Sequence, residues 1–135
     1  MNIAELFLNI HWIPVIVTMI FSFAVGAIWH QKFFFGKTWA EENKPTLENK
    51  KMNAPLIFGG TALMHFLALA GLSALVAGQG WHGGLHTGLL ISVVFVLPPM
   101  AATYLFANRS LKLLAIDAGM YIFLFSLAGG ILGIW

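Results

Sequence analysis

Four long apolar stretches, separated by three short polar breaks, make up almost the whole chain. A helix needs roughly 20 apolar residues to cross the about 30 Å hydrocarbon core of a bilayer. Each stretch meets that length, so the pattern predicts an all-α, polytopic membrane protein whose four transmembrane helices form a compact bundle. The predicted spans cover about residues 12–34, 54–77, 85–107 and 113–135 of a single domain, 1–135.

The three breaks differ in character. Residues 36–53 (GKTWAEENKPTLENKKMN) form the long polar segment, where we expect the chain to emerge into water. Residues 78–84 (GQGWHGG) are so rich in glycine that we expect a turn there rather than a helix. Within the third span, Pro98 and Pro99 both lack an amide hydrogen, so that helix is expected to kink.

The basic residues predict the orientation of the helices. Lysine and arginine beside short loops are retained in the cytoplasm. All seven lie in or beside the first and third breaks: Lys32, Lys37, Lys44, Lys50, Lys51, Arg109 and Lys112. The asymmetry places both termini on the non-cytoplasmic side of a membrane, which we interpret as the bacterial cytoplasmic (inner) membrane.

Composition agrees with this class of protein. The chain is 59% hydrophobic and 9% charged, whereas a soluble domain carries about 25% charged residues. The net charge of +2 is explained by the membrane-edge loops, so no nucleic-acid partner is expected. There is no cysteine, which excludes thiolate chemistry, and we expect no cofactor. The expected partners are the lipid bilayer and either further copies of the chain or other membrane subunits.

Two motifs resemble a known family. Residues 27–39 (AIWHQKFFFGKTW) are similar to the signature GALWYSPLLFGKxW of the DUF1761 family of small four-helix membrane proteins. Residues 108–119 (NRSLKLLAIDAG) and 130–135 (GILGIW) resemble that family's third loop and last helix. The sequence departs from the signature at residues 30–32, where the family more often has Tyr-Ser-Pro. The resemblance implies a fold and a membrane location, but no activity.

Polar residues near the third break form the first candidate site. Asp117 lies five residues beyond Lys112, about 7 Å into the membrane at helical rise. One interpretation pairs its carboxylate with Lys112, Arg109 or Lys32 as a structural ion pair. The other is a pocket that holds an anion or passes a proton, and its predicted members are His30, Lys32, Thr103, Asn108, Arg109 and Asp117.

His65, near the middle of the second span with Thr61 one turn before it, is the second candidate. An ionisable group at that depth suggests a proton relay or a ligand site. The alternative is a neutral imidazole that hydrogen-bonds to a neighbouring helix and contributes to packing.

Three histidines at the other end of the spans, His11, His82 and His86, are weak candidates for zinc or copper ligands. Gly83 and Gly84 argue against a helical pair of histidines, and no carboxylate stands nearby. Solvated loop histidines, and no metal, are therefore the favoured interpretation.

Pairs of small residues four apart favour close helix contacts, within one chain or between copies: Ser22/Gly26, Ala70/Ala74 and Gly129/Gly133. The leading functional hypothesis is therefore a non-enzymatic membrane protein that acts through helix–helix association, as a homo-oligomer or an accessory subunit. The alternative is a small carrier or channel for a proton, ion or small solute that uses His65 and the Asp117 pocket. No nucleophile-and-base set or phosphate loop is present, so an enzyme is not expected.

Overall fold

The computed structural model describes residues 2–48 and 51–135, which form helices joined by short turns, with no strand among them. In chain order the helices are α1 (Ile3–Leu8), α2 (Trp12–Trp29), α3 (Gly36–Leu47), α4 (Ala54–Val76), α5 (Gly80–Ile91), a π-helical segment (Ser92–Val96), α6 (Leu97–Phe106) and α7 (Leu111–Gly133). Asn49 and Lys50, in the predicted polar break, lie outside the described residues.

Four helices in the described part of the chain are long and apolar enough to cross a membrane, which confirms the prediction of four apolar spans. They are Trp12–Trp29, Ala54–Val76, Gly80–Phe106 and Leu111–Gly133. The second span is capped by Asn53, whose side chain accepts a hydrogen bond from the Leu56 amide at 3.2 Å.

The first span ends earlier than predicted, at Trp29 rather than at residue 34. The chain turns over residues 31–35, and the Phe35 and Gly36 amides donate to the carbonyls of Trp29 and Gln31. A Cβ at Gly36 would overlap the carbonyl oxygen of His30, so the turn needs glycine there. The polar break then continues as helix α3, so residues 36–47 are helical rather than a loop.

The third span begins at Gly80, five residues before its predicted start. The predicted glycine-rich turn is therefore wrong beyond Gln79. Gly84 lies so close to α7 that a Cβ there would overlap the carbonyl oxygen of Gly129, and a Cβ at Gly133 would lie 2.6 Å from the carbonyl oxygen of Gly80. The close approach of the two backbones favours a helix that glycine propensity alone disfavours.

A π-helical segment precedes Pro98 and Pro99 in the third span, and the kink expected there stays a prediction. The two prolines lie in the first turn of α6, directly after the π-helical segment. Because the first amides of a helix need no intrahelical acceptor, the start of α6 accommodates the missing hydrogens. The Leu97 amide donates to the carbonyl of Ser92, so the chain stays helical through this segment.

The apolar core lies at one end of the molecule. It joins the first half of α2 to the second halves of α4 and α7, through Val15, Leu69, Leu72, Val76, Leu124, Ala128 and Leu132. At the opposite end, Arg109 contacts α3, so the first and third breaks lie together. We call this the basic end, because the described lysine and arginine residues all belong to these two breaks. Here α2 and α4 leave a space between them.

Candidate functional site: a cavity between three long helices

A cavity of about 700 Å³ lies between the second half of α2, the first half of α4 and the middle of α7. Gly36, Trp39 and Ala40 of helix α3 line its basic end. The volume falls within the range of about 300–1,000 Å³ that holds drug-sized ligands. The walls are mostly apolar, and the polar side chains that reach the cavity are Ser22, His30, Lys32, Trp39, Thr61, His65 and Tyr121.

His65 forms the deep part of this cavity. Its Nδ1 lies 2.9 Å from the carbonyl oxygen of Thr61. A carbonyl only accepts, so Nδ1 carries the hydrogen and donates, and in the neutral ring Nε2 is left as an acceptor. The imidazole stacks on Tyr121 with ring centroids 6.1 Å apart, and Phe23 lies 5.8 Å away on α2. The predicted pair His65 and Thr61 therefore lines a cavity.

Asp117 is the acceptor at the centre of the basic end. The Trp39 indole donates to Oδ1 at 3.1 Å, and the Tyr104 hydroxyl donates to Oδ2. His30 Nε2 lies 3.9 Å from Oδ1, while His30 Nδ1 donates to the carbonyl of Gly26 at 2.8 Å. The Asp117 carboxylate on α7 thus contacts side chains from α3, α6 and the end of α2.

Arg109 extends this network without reaching Asp117. Its guanidinium lies 4.7 Å from the centre of the Tyr104 ring, and Nη2 donates to Asn43 Oδ1 at 2.6 Å. The Asn43 side chain is only 3% exposed, and its Nδ2 has no hydrogen-bond partner. Because Arg109 takes the amide oxygen, it determines how the Asn43 amide is oriented.

The predicted ion pair of Asp117 with Lys112, Arg109 or Lys32 is wrong. Among the described residues, no lysine or arginine nitrogen lies within 4.0 Å of its carboxylate, and the nearby base is His30. Trp39 and Tyr104 instead each donate a hydrogen bond to one oxygen of this carboxylate. Such hydrogen bonds satisfy a partly buried carboxylate without a second charge.

The predicted polar pocket is assembled only in part. The structure brings His30 to Asp117, joins Arg109 to them through Tyr104, and places Lys32 on the cavity wall. Thr103 is exposed and donates to the carbonyl of Pro99 at 2.9 Å. Asn108 is exposed in a left-handed turn with φ 51°. Neither of these two residues lines the cavity.

Sequence reasoning missed the roles of Trp39, Asn43 and Tyr104. None of the three was predicted as a partner of Asp117 or Arg109. A usable signal existed, because indole N–H and phenol O–H groups in apolar surroundings need acceptors. Asp117 was the obvious acceptor within the apolar spans.

The three histidines at the far end remain separate. His82 and His86 lie on α5 rather than in a loop, and both are exposed. The His11 amide donates to Ser73 Oγ at 3.2 Å. Residues 2–48 and 51–135 contain no group of three His, Asp or Glu side chains that could hold a metal ion.

Four long apolar helices indicate an integral membrane protein. Residues 13–133 match the family described as "Protein of unknown function (DUF1761)", and the chain belongs to that family. The resemblance carried by residues 27–39 and 108–119 is therefore confirmed. No curated protein matches the chain, and no solved structure does.

Proposed function

We propose that the protein is a non-enzymatic carrier of the bacterial inner membrane, which binds a small solute in the cavity between α2, α4 and α7. One observation carries the proposal: a single cavity joins His65 and Thr61 to His30 and Lys32. From sequence alone, His65 and Thr61 belong to one candidate site, and His30 and Lys32 belong to another. A membrane protein with an ionisable group deep in a cavity that opens toward basic residues has the parts that solute binding requires.

The depth of the cavity supports carriage rather than binding at the surface alone. His65 lies 11 residues after the first residue of α4 (65 − 54), about 16 Å along the helix. That is roughly half of the 30 Å hydrocarbon core. Beyond it, Val15, Leu69 and Leu124 are at most 1% exposed and close the path. In this proposal, carriage requires α2 and α4 to separate at the core end.

The association hypothesis remains as a second candidate. The Gly129/Gly133 pair is occupied inside the chain by α5, and Ser22 and Gly26 line the cavity. The observation that still favours association is on α4, where a Cβ on Gly59, Gly60 or Gly71 would meet nothing within 4 Å. A helix face of this kind admits the close approach of another helix.

Labelling of single cysteines tests the proposed orientation, and the chain has no cysteine of its own. In inverted membrane vesicles, a membrane-impermeant thiol reagent should label Lys44→Cys and Thr61→Cys, and in intact cells it should label His82→Cys. The reason is that Lys44 lies at the proposed cytoplasmic end, Thr61 lines the cavity that opens there, and His82 lies beyond the core.

Gly59→Cys is the control for that labelling, since it is exposed on α4 but does not line the cavity. It should remain unlabelled from either side because it faces lipid. Labelling of Lys44→Cys and His82→Cys from the same side would contradict the orientation. Labelling of Thr61→Cys no faster than of Gly59→Cys would contradict a water-accessible cavity.

Proton flux tests carriage through His65. Proteoliposomes with a trapped pH-sensitive dye should show flux above that of empty vesicles, and His65→Ala should lower the excess about tenfold, because it removes the proton-binding group deepest in the cavity. His82→Ala is the matched control, since His82 is exposed on α5, and it should leave flux unchanged. Absence of flux together with a stable partner in a mild-detergent pull-down would favour the association hypothesis.

A further inference from the structure

The side chains along the cavity change in character from its opening to its deep end. Lys32 and His30 lie at the basic end, and apolar walls follow on all three long helices, including Phe23, Phe58 and Met120. We infer that the cavity binds an anionic single-chain amphiphile, whose charged head lies at Lys32 and whose hydrocarbon chain extends toward His65. This inference rests on the proposed function, because it names the class of solute for the same cavity.

The charge at the opening favours an anion. Among residues 2–48 and 51–135, Lys32 is the one lysine or arginine that lines the cavity, and no carboxylate there lies within 4.0 Å of its ammonium group. Asp117 forms no ion pair with Lys32, and its carboxylate accepts hydrogen bonds from Trp39 and Tyr104 instead. A cation beside low-dielectric walls attracts a negative group more strongly than it does in water.

The middle of the cavity is suited to one hydrocarbon chain. Gly26 lines it, and a Cβ built there would meet nothing within 4 Å, so the α2 wall is recessed. Lipid tails are as apolar as these walls, so a chain gains little by leaving the bilayer. Discrimination must therefore come from the anionic head at Lys32 rather than from the chain.

The same chemistry has two possible sources. A free long-chain carboxylate would enter whole, whereas an anionic bilayer lipid would insert one acyl chain and leave its headgroup at Lys32. Both present an anion followed by a hydrocarbon chain. The membrane composition used in the binding experiment separates them.

The test uses the full chain in nanodiscs of zwitterionic phosphatidylcholine, with dansylaminoundecanoate as the probe. Energy transfer from tryptophan to the dansyl group reports binding, after subtraction of the signal from protein-free nanodiscs. We expect saturable binding of the carboxylate and at least tenfold weaker binding of the matched uncharged carboxamide. Lys32→Gln should weaken carboxylate binding about tenfold and leave the carboxamide unchanged.

Gly26→Leu is the second variant, and it should abolish saturable binding because the added side chain fills the recess. Gly59→Leu and Lys37→Gln are the matched controls, since neither residue lines the cavity, and both should bind as the unchanged protein does. The Gly59→Leu control also shows whether leucine at an uncrowded helical glycine permits folding.

Three outcomes decide the inference. Equal binding of carboxylate and carboxamide, or full binding by Gly26→Leu, would overturn it. Competition when phosphatidylglycerol replaces part of the nanodisc lipid would identify a bilayer lipid as the source, and unchanged binding would identify a free carboxylate. Carboxylate binding without proton flux would overturn carriage alone, whereas flux that depends on His65 without carboxylate binding would overturn the ligand class alone.

Discussion

Replacement of Gly84 by alanine is expected to destabilise the protein by about 1–3 kcal/mol, and replacement by leucine to prevent folding. A Cβ at Gly84 would overlap the carbonyl oxygen of Gly129, which is rigid helix backbone and cannot rotate away. The α5 and α7 helices would have to separate. Separation would also break the contacts of Gly88 with Phe125 and of Gly133 with Gly80.

The measurement is the thermal midpoint of unfolding in mild detergent, together with the yield of the monodisperse peak in size-exclusion chromatography. Gly71→Ala is the matched control, because a Cβ at Gly71 on α4 meets nothing within 4 Å. It should unfold at the same temperature as the unchanged protein or slightly higher. If Gly84→Ala matched this control, the close contact between α5 and α7 would be incorrect.

The long helices could be predicted because their signal is local. A span of 18 to 27 apolar residues is enough to predict membrane insertion, because a helix makes all of its backbone hydrogen bonds within itself. The N-cap Asn53 was predictable for the same reason, because its hydrogen bond reaches only three residues along the chain, to Leu56.

The start of α5 could not be predicted, because its cause lies about 50 residues away along the chain (133 − 80 = 53). Read alone, the run from Gly78 to Gly84 has the glycine content of a turn. Gly78 and Gly80 do have left-handed φ values of 72° and 71°, so the turn is real but shorter than expected. The remaining glycines favour a helix only because Gly129 and Gly133 lie opposite them on α7, where the two backbones approach closely.

The candidate site likewise has a part that local sequence predicts and a part that depends on distant residues. Depth and residue type indicated His65 and Asp117 correctly as polar groups within apolar spans. The cavity that joins His65 to His30, the neighbour of Asp117, depends on the space between α2 and α4, which cannot be read from the periodicity of either helix. The partners of Asp117 also come from distant segments, since Trp39 and Tyr104 are 78 and 13 residues away in sequence.

Asp117 links the end wall of the cavity to the rest of the fold. Trp39 lines the cavity and donates to this carboxylate, and His30 lies 3.9 Å from it. Helix α3 has a second attachment through Asn43 and Arg109. The position of α3 over the basic end therefore depends on two polar contacts rather than on a large apolar interface, and any rearrangement of α3 must change one of them.

Asp117→Ala is accordingly expected to destabilise the protein by about 2–4 kcal/mol and to loosen α3. The substitution removes the acceptor of the Trp39 indole and of the Tyr104 hydroxyl, and each buried donor left unpaired costs about 1–3 kcal/mol. Thermal unfolding in mild detergent measures the loss of stability. Hydrogen exchange measures the loosening, and the α3 amides should exchange about tenfold faster while those in the second half of α7 are unchanged.

The thermal stability and the α3 exchange rate of Asp117→Asn should lie between those of the unchanged protein and of Asp117→Ala. The amide oxygen still accepts one of the two hydrogen bonds. Glu41→Gln is the control, since Glu41 is an exposed acid on α3 itself and should alter neither measurement. Faster exchange along all of α7 would show that Asp117 supports the whole fold rather than α3. If α3 exchange were unchanged in Asp117→Ala, the Asn43–Arg109 contact alone would be sufficient to hold the end wall of the cavity in place.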